Sequence, residues 1–333
     1  MAESLTPGFE DLLGWKSNWG DAKIGVFGVG ATGFAILDTL VELGSEPLAL
    51  AEEIEGDIAR IVNVLGVTPV VSPEEATLLE ALQQFAPEIL IVSPGVTPGH
   101  PVVEAARRAG AEIWSDIDFA WRVRDKNLDI SPWVLISGET YSRRVAELAA
   151  RLLTAGGIPS LVVGHHSPTL LDALRDPHHY GAVLVVVNDN QVGFLARGVG
   201  PRSPRVAVCV EEKSLHRHGA LYDGVSHACL YRRGIGNTMA MVEDAEVIDG
   251  ARAIGVGFDT PDKSDLGLVE GILVDRAFLD DRAHHALEVS TLDELVEAGW
   301  TIPEDLPVIV AAIGVARSFD VSPAVISGVL TLP

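Results

Sequence analysis

Residues 23–33 read KIGVFGVGATG, a short apolar strand that runs straight into Gly28-Val29-Gly30-Ala31-Thr32-Gly33. Three glycines at G-x-G-x-x-G spacing, between a strand and a helix, constrain the fold more than any other stretch of the chain. They allow a tight turn, a close approach of backbone to a ligand, and close packing of the helix on its strand. Phe34–Leu43 continues as an amphipathic helix, closed by Gly44. Strands are expected at Pro47–Ala51, Pro69–Val71, Glu88–Val92 and Ala111–Trp114, with helices at Pro73–Phe85 and Pro101–Ala109. Alternation of this kind means α/β architecture with a doubly wound, Rossmann-like parallel sheet. The start of the first helix favours a diphosphate, and Glu52 lies about 20 residues on, where an acid would meet a ribose. Three readings stay open on these residues alone: a nucleotide diphosphate site, an NAD-binding Rossmann protein, and a purely structural turn.

A second strand–turn–helix lies at Val134–Arg144, VLISGETYSRR, with the helix expected over Val145–Leu153. Its layout is that of a phosphate-binding loop, in which backbone N–H groups and a lysine cradle ATP phosphates. After Gly138, however, Tyr141 stands where a glycine belongs, Ser142 replaces the lysine, and Arg143 replaces the magnesium-binding Ser or Thr. Arg143 and Arg144 are the remaining candidates for holding an anion at this helix start.

At 333 residues the chain is long enough for two domains, each with its own core. The net charge of −23 opposes nucleic acid and anionic membranes, which reward clustered Lys and Arg. No apolar run reaches the 18 or so residues of a membrane span, and residues 1–15 lack the basic and apolar regions of a signal peptide. Cys209 and Cys229 show no C-x-x-C spacing. Together these point to a cytoplasmic protein with reduced thiols.

Three segments in order resemble the Mur ligases, ATP-dependent amide ligases of peptidoglycan synthesis, and in particular the branch that adds D-glutamate. They are Gly28–Gly33, then SPGVTPGHP at Ser93–Pro101, then SDIDFAWRV at Ser115–Val123 leading into PWVLISG. The resemblance implies a UDP-sugar-binding N-terminal domain over 21–130, after an N-terminal extension at 1–20, and a P-loop-type central domain over 131–333. It implies a UDP-MurNAc-type ligand held by Gly30, Ala31, Thr32, Gly33, Ser93, Pro94 and Gly95, with His100 a candidate to face the sugar nucleotide. One departure lies at the second strand, which the family ends in Asp and this chain ends in Ala51-Glu52.

In the second half the resemblance places Val186 where the family carries a magnesium-binding glutamate, with Gln191 kept. Ser214 falls on a metal-binding histidine, and His227 or Ala228 on a carbamylated lysine. The stretch Leu306–Leu330 resembles a family helix without the G-x-H-N-x-x-N motif before it. An acyl phosphate requires stabilisation of charge on a transferring phosphoryl group. With the loop lysine and the metal positions replaced, the expectation is a degenerate central domain that has lost ATP and magnesium, with no catalytic residue and no metal site. A truncated member, lacking the family's C-terminal domain, is expected to bind the UDP-MurNAc-type ligand or a cell-wall synthesis protein. An active ligase completed by a missing-domain subunit is the rival. The pairs His165-His166, His178-His179, His216/His218 and His284-His285 have no accompanying ligand spacing and read as surface or capping residues. Asp116 and Asp118 read as positioning the domain junction or the start of a helix.

Overall fold

A computed structural model describes residues 12–126, 129–164, 167–198, 200, 202–211 and 219–332. Ser214 and the histidines at 165, 166, 216 and 218 lie outside the described residues. The chain divides into two compact units: residues up to 130 with 164–177 and 193–196, and the remainder from 131 onward. The second domain expected over 131–333 is therefore interrupted twice by short segments that pack with the first.

The first unit holds a five-stranded parallel sheet in the order β3-β2-β1-β4-β5. The strands are β1 Ile24–Phe27, β2 Leu48–Ala51, β3 Val70–Val71, β4 Ile89–Val92 and β5 Glu112–Ser115. All residues of β1 and β4 are buried, as a strand covered on both faces requires. Helices α1 Ala31–Glu42, α2 Gly56–Val64, α3 Glu75–Phe85, α4 Pro101–Arg108 and α5 Asp116–Arg122 follow the strands in turn. Ser115 caps α5 by accepting from the Asp118 amide, and its hydroxyl donates to the Asp118 carboxylate at 2.8 Å. The expected role of these aspartates at a helix start is what Asp118 performs. Trp19, expected in an N-terminal extension, is instead completely buried, edge-on to Trp114 and Phe119 at 6.4 and 5.5 Å.

The second unit is built on a nine-stranded sheet in the order β14-β13-β12-β11-β10-β9-β6-β8-β7. Strands β6 Trp133–Ser137, β7 Ser160–Val163, β8 Ala182–Val187, β9 Val206–Cys209, β10 Ala228–Arg232, β11 Arg252–Val256 and β12 Asp265–Val269 run parallel. The sheet then turns antiparallel through β13 Ile272–Asp275 and β14 Leu287–Thr291. Glu270 and Gly271, both at positive φ, form the two-residue connection of the β12–β13 hairpin, the geometry that matches strand twist. Helix α6 Ser142–Ala155 packs against a second helix, Leu306–Arg317, every residue of which is buried. A helix apolar on all sides belongs inside a core. The family-like helix expected over Leu306–Leu330 is two helices, broken before Pro323, with Asp320 at φ 61° in the turn.

Cys209 and Cys229 are buried free thiols on neighbouring strands. Burial, aided by the nearby Asp223 carboxylate, pushes the Cys229 thiol up to about 12. Because the thiolate is the reactive form, an aromatic disulfide reagent at pH 8 should modify neither cysteine in the folded protein and both after denaturation. Rapid modification of the native protein would show that β9 and β10 open. Among the described residues no helix is long and apolar enough to cross a membrane.

Candidate functional site

At the carboxyl edge of the first sheet, β1 ends in Gly28, whose φ of +91° suits only glycine, and the chain turns at once into α1. A Cβ on Gly33 would lie 2.0 Å from the Gly28 carbonyl oxygen, so glycine there lets the helix start press against the strand end. Ser93, after β4, closes the same turn: its hydroxyl donates to the Gly28 carbonyl at 2.6 Å. Gly30 caps α1 and Ala31 opens it. These two residues, with Val29, Glu53, Ile54, Glu55 and Ile58, line a cleft of about 530 Å³.

The candidate ligand residues therefore divide. Gly30 and Ala31 line the cleft, whereas Ser93 is spent on the turn and Thr32 is 4% exposed. No residue of the Ser93-Pro94-Gly95 loop lines it. His100 caps α4: its Nδ1 accepts the Val102 amide at 3.2 Å, which leaves Nε2 to donate to Glu52 at 3.3 Å. Its ring also packs 4.6 Å from Phe27. His100 is thus a helix cap that also meets Glu52. Sequence reasoning missed Glu53 and Glu55, although their place just past a strand end was a signal.

In the second unit, β6 leads through Gly138-Glu139-Thr140-Tyr141 into α6. The amides of Glu139, Thr140 and Tyr141 all point at one carboxylate, that of Glu211, just beyond β9. Glu139 donates to Oε2 at 3.0 Å, and Thr140 and Tyr141 donate to Oε1 at 2.9 and 2.7 Å. The loop is a working anion nest, and its anion comes from the chain itself. Gly138, at φ +152°, admits it: a Cβ there would lie 2.5 Å from Glu211 Oε1. Ser142, in the lysine's place, is buried and donates its hydroxyl to the Gly138 carbonyl at 2.6 Å.

Two expectations change here. Tyr141 does not spoil the cradle; it sits at φ −112° as the cap of α6, and its amide still reaches the anion. Arg143 and Arg144 do not serve the nest. Arg143 pairs with Glu147 at 2.7 Å one turn along α6, and Arg144 pairs with Asp305. ATP phosphates, implied by the resemblance, do not fit this loop as it stands, because its three amides are engaged by the Glu211 carboxylate. Val186, at the magnesium-glutamate position, faces the core of its unit, and Ala228 is wholly buried. The alternative position, His227, is held below its ordinary range by burial and by Arg205 and Arg252, cationic surroundings unsuited to a bridging cation. Gln191 accepts the Asn188 amide at 3.0 Å and so shapes its own turn. Among the described residues no three His, Cys, Asp or Glu side chains converge as metal ligands.

No protein-family model matches the chain. It is 37% identical over 339 residues to UDP-N-acetylmuramoylalanine--D-glutamate ligase from Leifsonia xyli subsp. xyli, covering 96% of this chain and 66% of that protein. The protein of the same name from Tropheryma whipplei (strain Twist) is 32% identical over 334 residues, covering 96% of this chain and 68% of its own length. The chain thus spans about two thirds of the length of these curated relatives. Among solved structures, the UDP-N-acetylmuramate:L-alanyl-gamma-D-glutamyl-meso-diaminopimelate ligase from Neisseria meningitides aligns with a TM-score of 0.51 at 12% identity. That alignment covers 93% of this chain and 97% of that one, a likeness of fold. By sequence identity and extent, this chain belongs to the UDP-N-acetylmuramoylalanine--D-glutamate ligase family of Mur ligases.

Proposed function

We propose that this family member binds a UDP-N-acetylmuramoyl-type ligand with its first unit and performs no ATP-dependent ligation with its second. The observation that carries the reading is the Glu211 carboxylate on the three loop amides, beside Ser142 in the lysine's place. Phosphoryl transfer rests on positioning and charge stabilisation by a lysine, a metal and free backbone donors. In this loop the donors are engaged, and the lysine and metal positions are filled by other residues. The first unit keeps the helix-start geometry that attracts a diphosphate. Glu53 and Glu55 in the adjoining cleft accept hydrogen bonds and suit the hydroxyls or imide N–H of a uridine better than its phosphates. Such a protein would act in the cytoplasm as a regulatory or scaffolding component, with a cell-wall synthesis protein as its partner.

The relatives' names favour the other reading, an active ligase that adds D-glutamate to UDP-MurNAc-L-alanine, completed by a further polypeptide. A coupled assay with ATP, magnesium, D-glutamate and UDP-MurNAc-L-alanine, run on the protein alone and on the protein purified with its bound partners from the native host, separates the two. No ADP release above the protein-free rate is expected. Sustained, D-glutamate-dependent release would establish the ligase.

A further inference from the structure

We propose that the Glu211 carboxylate is a built-in plug, a surrogate phosphate that holds the loop before α6 in its anion-binding shape and keeps free phosphoanions out. The inference concerns the second unit alone and is independent of what the first unit binds.

The geometry is that of an occupied site. Three consecutive amides converge within 3.0 Å on two carboxylate oxygens, as they would on a phosphoryl group. Hydrogen bonds to an ionised acceptor are about twice as strong as neutral ones. They form at the start of α6, a helix of 14 residues whose positive end favours an anion. Arg143 and Arg144, on that helix, are turned to Glu147 and Asp305, while the three loop amides bind the Glu211 carboxylate directly.

Topology fixes the plug. β9 lies beside β6 in the sheet with Cys209 level with Ser137, so the two strands end together. Glu211 follows Cys209 by two residues and Gly138 follows Ser137 directly. The carboxylate is therefore tethered at the nest, and a free phosphate must compete with a group whose effective concentration is set by a very short link. The Ser142 hydroxyl on the Gly138 carbonyl draws the loop closed around it. Held in this way, the loop keeps its anion-binding shape and offers a nucleotide no place.

The test compares wild type with Glu211→Ala and Glu211→Gln, probed with inorganic phosphate and pyrophosphate at ionic strength matched with chloride. Glu211→Ala should bind one more equivalent of pyrophosphate than wild type, whose diphosphate site is the one proposed in the first unit. Glu211→Ala should melt lower by about 4 °C or more. Phosphate or pyrophosphate at tens of millimolar should then restore a large part of that loss, with no matching rise for wild type, which corrects for the general stabilisation such salts give. Glu211→Gln, of the same length but neutral, should lie between. Equal pyrophosphate stoichiometry for wild type and Glu211→Ala would overturn the proposal. So would an alanine variant as stable as wild type, or one that no phosphoanion restores. Should Glu211→Ala fail to fold, Glu211→Gln is read by the same criteria. Failure of UDP-sugar binding would count against the first unit's reading and leave this result untouched.

Discussion

Gly33→Ala should unfold the first unit at denaturant concentrations that leave the second intact, with a loss of about 3 kcal/mol or more. The added Cβ would meet the Gly28 carbonyl oxygen at 2.0 Å, the Gly28 carbonyl carbon at 2.9 Å and Ser93 Oγ at 2.9 Å. Two of these three are backbone atoms of a turn pinned by the Ser93 hydroxyl, and Gly28 donates its amide to Leu50 on the neighbouring strand at 2.9 Å. The helix can escape only by lifting off the strand end, which exposes α1 side chains such as Ile36, Leu37 and Leu40, all fully buried. Tryptophan fluorescence in a urea titration reports the change, because Trp19 and Trp114 pack together inside this unit. An unchanged midpoint would show that the turn relaxes at little cost.

Asp275→Ala should destabilise the second unit by about 3–5 kcal/mol, the range for removing one partner of a buried ion pair. Arg317, at the end of the buried Leu306–Arg317 helix, donates from Nε to the Asp275 carboxylate at 2.7 Å. Its remaining donors go to the Val321 and Phe278 carbonyls at 2.7 and 2.8 Å. The other Asp275 oxygen accepts the Ala277 and Phe278 amides at 2.7 and 2.9 Å. Asp275 is fully buried and Arg317 nearly so, which means an unpartnered guanidinium has no water to turn to. Adding Arg317→Met to Asp275→Ala should therefore recover part of the loss, a coupling that two distant sites would not show. Denaturant unfolding of both single variants and the double variant measures it, and simple additivity would contradict the account.

Local signals made the first sheet readable. Each strand of residues 23–115 falls within two residues of its expected bounds; β1 and β4, buried throughout, read as apolar runs that end at Gly28 and at Ser93-Pro94-Gly95. Helix α2 was missed, although Ile58, Ile61, Val62 and Leu65 keep the i, i+3, i+4, i+7 spacing of a helix. Its β-branched residues weaken helix propensity, and Ile61 and Val64 are 47% and 85% exposed, so no clean apolar face marks it. The antiparallel strands β13 and β14 went unread too, despite the Glu270-Gly271 turn that leads from β12 into β13.

The site was legible in kind but not in detail. The sequence located the loop before α6 and the loss of its lysine. It could not show that Glu211, 73 residues past Gly138, closes on that loop, since the contact exists only through strand pairing. Ser93 and His100 read as ligand residues from the sequence; in the fold Ser93 also pins the Gly28 turn, through β1–β4 pairing, and His100 caps α4.

The most direct test of the account is a calorimetric titration of the wild-type protein with UDP-N-acetylmuramoyl-L-alanine, with UDP as competitor and MgATP as the parallel titrant. Saturable binding of the sugar nucleotide, displaced by UDP, with no isotherm for MgATP, is the result predicted here. A tight MgATP isotherm, or no heat from the sugar nucleotide, would contradict it.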